Sequence, residues 1–186
     1  MSMFTRRSFL GAAGATTALT AACGNGVGTN AAMEIDARVD ASRDYLFNEF
    51  PEMQDIDGKA LGTLWMPLVT KAGLFVGGAY GEGALRINNA TVDYYSATQG
   101  SFGLQIGAQQ YAHALFFITE EALGDFRRSA GWSAGADLEY AIKDKGGNLT
   151  AETITSLDPV IAVVFGQAGL LVGASLEGTK YTRIIP

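Results

Sequence analysis

The stretch "GLFVGGAYGEGALRINNATVDYYSA", Gly73 to Ala97, sets two β-prone runs on either side of a short polar break. The break, Asn88-Asn89-Ala90, reads as a hairpin turn, because asparagine tolerates the left-handed backbone that tight turns between strands require. The first run is unusual in carrying glycine at 73, 77, 78, 81 and 83. Glycine in a strand interior adds no packing and loses more entropy on ordering than any other residue, so its repetition needs a physical reason.

The reason is sought in three segments of one form: "GLFVG" (Gly73 to Gly77), "GLQIG" (Gly103 to Gly107) and "GLLVG" (Gly169 to Gly173). Helix-packing GxxxG motifs belong inside apolar stretches of about 20 residues, and polar or turn residues stand close to each of these segments. As strands, with side chains alternating between faces, they put Leu74 and Val76, Leu104 and Ile106, or Leu170, Val172, Ala174 and Leu176 on one face. The other face carries two glycines flanking Phe75, Gln105 or Leu171. Two readings stand side by side. The glycines mark the corners of a strongly coiled sheet, or Gly77, Gly107 and Gly173 floor a groove for a lipid acyl chain or head group.

Working outward, Ile35, Val39, Ser42, Leu46 and Phe50 form a helical stripe over Ala32 to Phe50, and Pro51 stops it. The polar face of this helix is mixed and rather acidic, which favours core packing over a membrane-surface role. Lys59 to Lys71 reads as a short helix and then a strand broken at Pro67. "TQGSFGLQIGAQQ" and "AHALFFI" continue the strands, the latter apolar on both faces and so central in a sheet. Thr119, Glu120 and Glu121 open a helix that Arg127 and Arg128 close, each charge at the end where the helix dipole favours it. "GWSAGADLEYAIKDKGGN" reads as a strand and a glycine turn, and "PVIAVVFG", "GLLVGASLEG" and "TKYTRII" as three closing strands. The class is α+β, with a glycine-rich, strongly twisted antiparallel sheet or partial barrel and N-terminal and flanking helices.

Residues 1–22 differ from everything after them: no acid, a basic pair, and a small-residue apolar stretch. This is a signal peptide. "TRRSFL", with Arg6 and Arg7, resembles the twin-arginine export signal, the general secretory route being the alternative. "LTAAC" resembles a lipobox, with Thr20 where leucine is usual, and makes Cys23 the expected lipidation site. The alternative is an ordinary signal peptide with a chance cysteine. An exported protein with one cysteine cannot form an internal disulfide, so lipidation gives that residue a role. Residues 23–31 then form a glycine- and asparagine-rich tether, and 32–186 a single domain facing the periplasm from its membrane anchor.

Without Arg6 and Arg7 the 13 basic residues become 11 against 19 acidic, a net charge of −8. Nucleic acid, which needs a concentrated basic surface, is excluded as a partner. No cofactor is expected. His113 is the one histidine, lies in "YAHALFF", and reads as a hydrogen-bonded interior residue. Zinc, haem and iron–sulfur ligand sets are absent from the sequence, as are a G-x-S-x-G elbow and a phosphate loop. The chain reads as no enzyme.

"GLFVGGAYGEG", "YYSATQGSFGLQIGAQ" and "GLLVGASLEG" resemble the three signature blocks of the SYLF-domain family, in the family's order, from about Lys59 to the C-terminus. The family includes bacterial exported proteins and eukaryotic phosphoinositide- and actin-binding proteins. Tyr95 stands where the family commonly has tryptophan, and no proline follows Ala97. The resemblance implies non-catalytic binding of phospholipid or another amphiphile, here by an envelope lipoprotein of a bacterium. An exported protein should not meet actin, so that activity is not carried over. The basic residues implied for lipid contact are Lys71, Arg86, Lys180 and Arg183, together with the helix from Ala32 to Phe50. A second reading is a structural or assembly lipoprotein that works through protein contacts.

Overall fold

The computed structural model describes residues 26–135, 159–166, 169–170 and 176–186. Helix α1 (Asn30–Glu49) begins at Thr29, whose hydroxyl accepts from the Ala32 amide at 3.1 Å and so satisfies one of the free first-turn donors. Residues 26–29 already form a turn, so part of the expected tether is built into the domain. Helix α2 (Met53–Lys59) follows Pro51. The short helix expected within 59–71 therefore lies earlier in the chain. From Gly62 onward that stretch is strand, and Pro67 sits at a register shift between Met66 and Val69, where its missing N–H costs no ladder bond.

Strand β1 (Gly62–Ile87) and strand β2 (Ala90–Phe117) form one very long antiparallel hairpin. Its turn is Asn88-Asn89, with φ of 50° and 65° and Ile87 opposite Ala90. Positive φ at both central residues is the geometry whose twist matches that of the flanking strands. A straight strand the length of β2 would span about 90 Å, several times the radius of gyration, about 15 Å, of a domain this size. The hairpin must therefore bend. Strand β4 (Val160–Gly166) pairs with β2 at Ala112–Phe117, whereas β6 (Lys180–Ile184) pairs with it at Tyr94–Thr98. Strand β3 (Trp132–Ser133) extends β6 and β5 (Gly169–Leu170) extends β4. The described strands make one six-stranded antiparallel sheet, curled into a partial barrel.

Glycine is required where β1 meets itself. Its second half passes so close to its first that a Cβ on Gly81 would stand 2.5 Å from the Leu68 carbonyl oxygen, and one on Gly83 would overlap the Trp65 carbonyl. The first two glycine blocks are also partners: Gly73 lies opposite Gly107 and Phe75 opposite Gly103. The faces expected for Leu74, Val76, Leu104, Ile106, Leu170, Val172 and Ala174 lie outside the described side chains, while Leu176 is buried as expected.

Both faces of the sheet are covered. Leu64, Met66, Leu115, Phe117, Val160, Ala162 and Val164 point inside the curl, where Phe126 of helix α3 (Glu120–Arg128) joins them. Trp65, Ala114, Phe116, Ile161, Val163 and Phe165 point outward against Ile35, Val39 and Leu46 of α1 and Ile56 of α2. The stripe on α1 is thus core, and "AHALFFI" is central with both faces buried, as its composition predicts. Thr119 caps α3 through the Ala122 amide, with the acids and arginines at the expected ends. Of the strand expected after Gly131, only Trp132–Ser133 pairs; its continuation from residue 136 lies outside the described residues.

Candidate functional site

Where Pro67 displaces β1 from its partner, a cleft of about 450 Å³ opens between α1 and the sheet. Helix α1 lines it with Arg38, Ala41, Ser42 and Tyr45, which share one face at spacings of three and four residues. The opposite wall is Pro67 and Leu68 of β1, Gln110, Tyr111 and Ala112 of β2, and Phe165 and Gly166 at the end of β4. The Tyr45 hydroxyl donates to the Gly166 carbonyl at 2.8 Å and its ring stacks on Phe165, centroids 6.3 Å apart, which pins that end of β4 to the helix. Inside, the Ser42 hydroxyl is buried and has no partner among the described residues. Burial pushes the Tyr111 hydroxyl pKa up, so it stays a neutral donor. Toward solvent stand the exposed Leu68 and Gln110, and Arg38, paired with Glu34 at 3.1 Å. An apolar slot with few polar groups and one cation at its mouth suits an amphiphile; among the described residues no group of acids, histidines and cysteines could hold a metal.

The four cations singled out from the sequence fall into three places. Lys71 lies opposite Gln109, one register pair beyond Thr70 and the cleft residue Gln110. Arg86 is buried beneath α1, 2.6 Å from Asp40 and 3.9 Å from Asp36. Asp36 also accepts from Thr91 and from Tyr94, each at 2.7 Å. Burial, then the bond to Asp36, raises the Tyr94 pKa. The guanidinium of Arg86 therefore holds α1 on the sheet. Lys180 and Arg183 lie on β6 beside the end of α3. Arg183 reaches the buried Asp93 at 3.5 Å, the Tyr95 hydroxyl at 3.3 Å and the Arg127 carbonyl at 2.9 Å. Arg127 shares the same carboxylate at 3.4 Å.

Of the glycines, Gly77 lies opposite Ser101 and is half-buried, and Gly107 lies opposite Gly73. Gly173, Cys23, Arg6 and Arg7 lie outside the described residues.

Asp36, Asp40 and Asp93 do most of the electrostatic work and were not singled out from sequence. The one available signal was Asp93 within "TVDYYSA", an acid in a strand otherwise rich in aromatic and β-branched residues. In the sequence Arg127 is a helix-end cation and nothing more, since its partner lies 34 residues away.

Residues 98–183 match the family model described as Ysc84, Las17-binding protein actin regulator. The Ysc84 match runs from Thr98 on β2 to Arg183 on β6 and supports the SYLF resemblance over that span. It takes in the second and third glycine blocks and the α3–β6 arginine cluster. Helix α1 and the first block precede it. No curated protein matches the chain.

Proposed function

We propose that this protein binds phospholipid or a similar amphiphile without catalysis, and that it is exported and held at the bacterial envelope by a lipid on Cys23. The observation that carries the reading is the cleft of about 450 Å³ between α1 and the bend of the hairpin, within the range of small-molecule sites. Its aliphatic and aromatic walls suit an acyl chain, while Arg38 stands at the mouth, where an anionic head group would emerge. The matched family is described by what it binds and regulates, and binding is the property carried over. The signal peptide takes this chain away from actin, so the ligand is read from the cleft instead.

The test is to produce the full chain in a bacterial host, extract it from membranes, and examine it by native mass spectrometry and lipid extraction. The expected result is one amphiphile retained per chain, in addition to a lipidated N-terminal cysteine. Protein that is free of ligand, and that takes up none from vesicles, would overturn the reading. Stable capture of another envelope protein by such ligand-free material would favour the assembly role.

A further inference from the structure

The described chain starts at Gly26, three residues after Cys23, and its start is joined to its end. Gly26, at φ 78°, lies against the last two residues: an added Cβ would stand 2.6 Å from Pro186 Cδ and 3.3 Å from Ile185 Cγ2. The Thr29 hydroxyl donates to the Pro186 carbonyl at 3.2 Å, and the Thr29 amide closes a turn on the Gly26 carbonyl at 3.2 Å. Residues 26–29, the first turn of α1 and residues 185–186 therefore form one corner of the domain.

That corner is apolar at its surface. The large hydrophobic side chains exposed among the described residues are Val27, Met33, Leu61, Leu68, Tyr80 and Ile185. Three of these six belong to the corner, including Ile185, the most exposed at 72%. Scattered surface hydrophobics need no explanation, but a cluster of them marks a contact surface. Arg183, two residues before Ile185, shares the carboxylate of Asp93 with Arg127.

We infer that this corner is the face on which the domain rests against the bilayer, with Val27, Met33 and Ile185 entering the interface. The inference rests on the reading that Cys23 carries the anchor. Three residues reach at most about 10 Å even when fully extended, so an anchored Cys23 keeps this corner at the membrane surface whatever path the residues between them take. No other part of the domain is bound so tightly to that plane. Residue 48, at the far end of α1, is about 27 Å from residue 30 at 1.5 Å per residue.

The experiment uses the full chain, recovered from membranes and reconstituted into phosphatidylglycerol-containing vesicles whose acyl chains are brominated. Mass spectrometry of the recovered N-terminus reports the anchor. If Cys23 is unmodified, coupling that cysteine to a maleimide phospholipid supplies one, so the orientation is read even where the lipidation reading fails. Ile185→Trp and Asn48→Trp replace exposed side chains, and Trp65 and Trp132 give the same background in both variants. The expected result is that bromine quenches the emission added by Ile185→Trp and leaves that added by Asn48→Trp. Quenching at both positions, at neither, or at Asn48→Trp alone would overturn the inference.

Discussion

The hydroxyl of Tyr181 lies 2.8 Å from Nε2 of His113 and joins β6 to the C-terminal part of β2 inside the curl of the sheet. The imidazole is fully buried, its Nδ1 has no partner among the described residues, and burial pushes its pKa down to about 3 from the usual 6.5. A folded chain thus keeps His113 neutral, while an unfolded chain protonates it below pH 6.5. The unfolded state then binds more protons, so stability is full above about pH 6.5 and falls by about 1.4 kcal/mol per pH unit below it, until pH 3. Urea unfolding should show a loss of about 2 kcal/mol between pH 7 and pH 5. His113→Gln should flatten that slope, since no other histidine is present. An unchanged slope in the variant would mean that other groups govern it.

Glycine at position 83 is set by space. Any side chain there would overlap the Trp65 carbonyl and stand 2.6 Å from Met66 Sδ. Gly83→Ala should cost about 2–3 kcal/mol, the upper range for overpacking, because a backbone carbonyl cannot move aside as a side chain can. Gly100→Ala meets nothing within 4 Å and should be neutral or stabilising by a few tenths of a kcal/mol. Equal effects of the two substitutions on the urea midpoint would refute the close-approach account of β1.

Asp36 and Asp40 both face Arg86 but differ in what they leave behind. Asp36→Ala strips the buried Tyr94 hydroxyl of its acceptor and should cost about 2–3 kcal/mol. Asp40, with 61% of its side chain exposed, leaves Arg86 still near Asp36, so Asp40→Ala should cost about 1 kcal/mol. A reversed order in equilibrium unfolding would show that Arg86 depends on Asp40 instead.

Ala41 lines the cleft from the exposed side of α1. Ala41→Trp should fill the slot and remove the co-purifying amphiphile, while thermal unfolding shifts by no more than a few degrees. Retention of ligand by a folded variant would place the binding site elsewhere.

Export is testable apart from binding. Replacing Arg6 and Arg7 with lysine should leave the precursor in the cytoplasm, as judged by fractionation and by the size of the unprocessed chain. Normal processing of that variant would assign the signal peptide to the general secretory route.

The elements that local chemistry decides were legible in the chain. Asn88-Asn89 determined a hairpin because asparagine tolerates positive φ, and Thr119 determined the start of α3 because its hydroxyl reaches an amide three residues on. The stripe on α1 and the doubly apolar "AHALFFI" determined which faces are buried. Helix α2 lies before the stretch in which a short helix is expected, and Pro67 does not break β1, because a register shift that only the partner strand reveals accommodates it.

Three relationships were left to the tertiary structure. Gly83 proved to be a crossing point because the residue it meets, Trp65, belongs to the same strand 18 residues earlier, brought back by a bend that alternation cannot report. Arg86 proved to be a buried tie to α1, since its carboxylates lie 46 and 50 residues away, and a lone arginine in sequence looks the same whether solvated or paired. The cleft exists only once α1 lies across the kinked strand. Periodicity and capping are short-range properties that a sequence carries openly; close approach, charge pairing and cavities depend on which distant segments meet, and only the folded chain decides that.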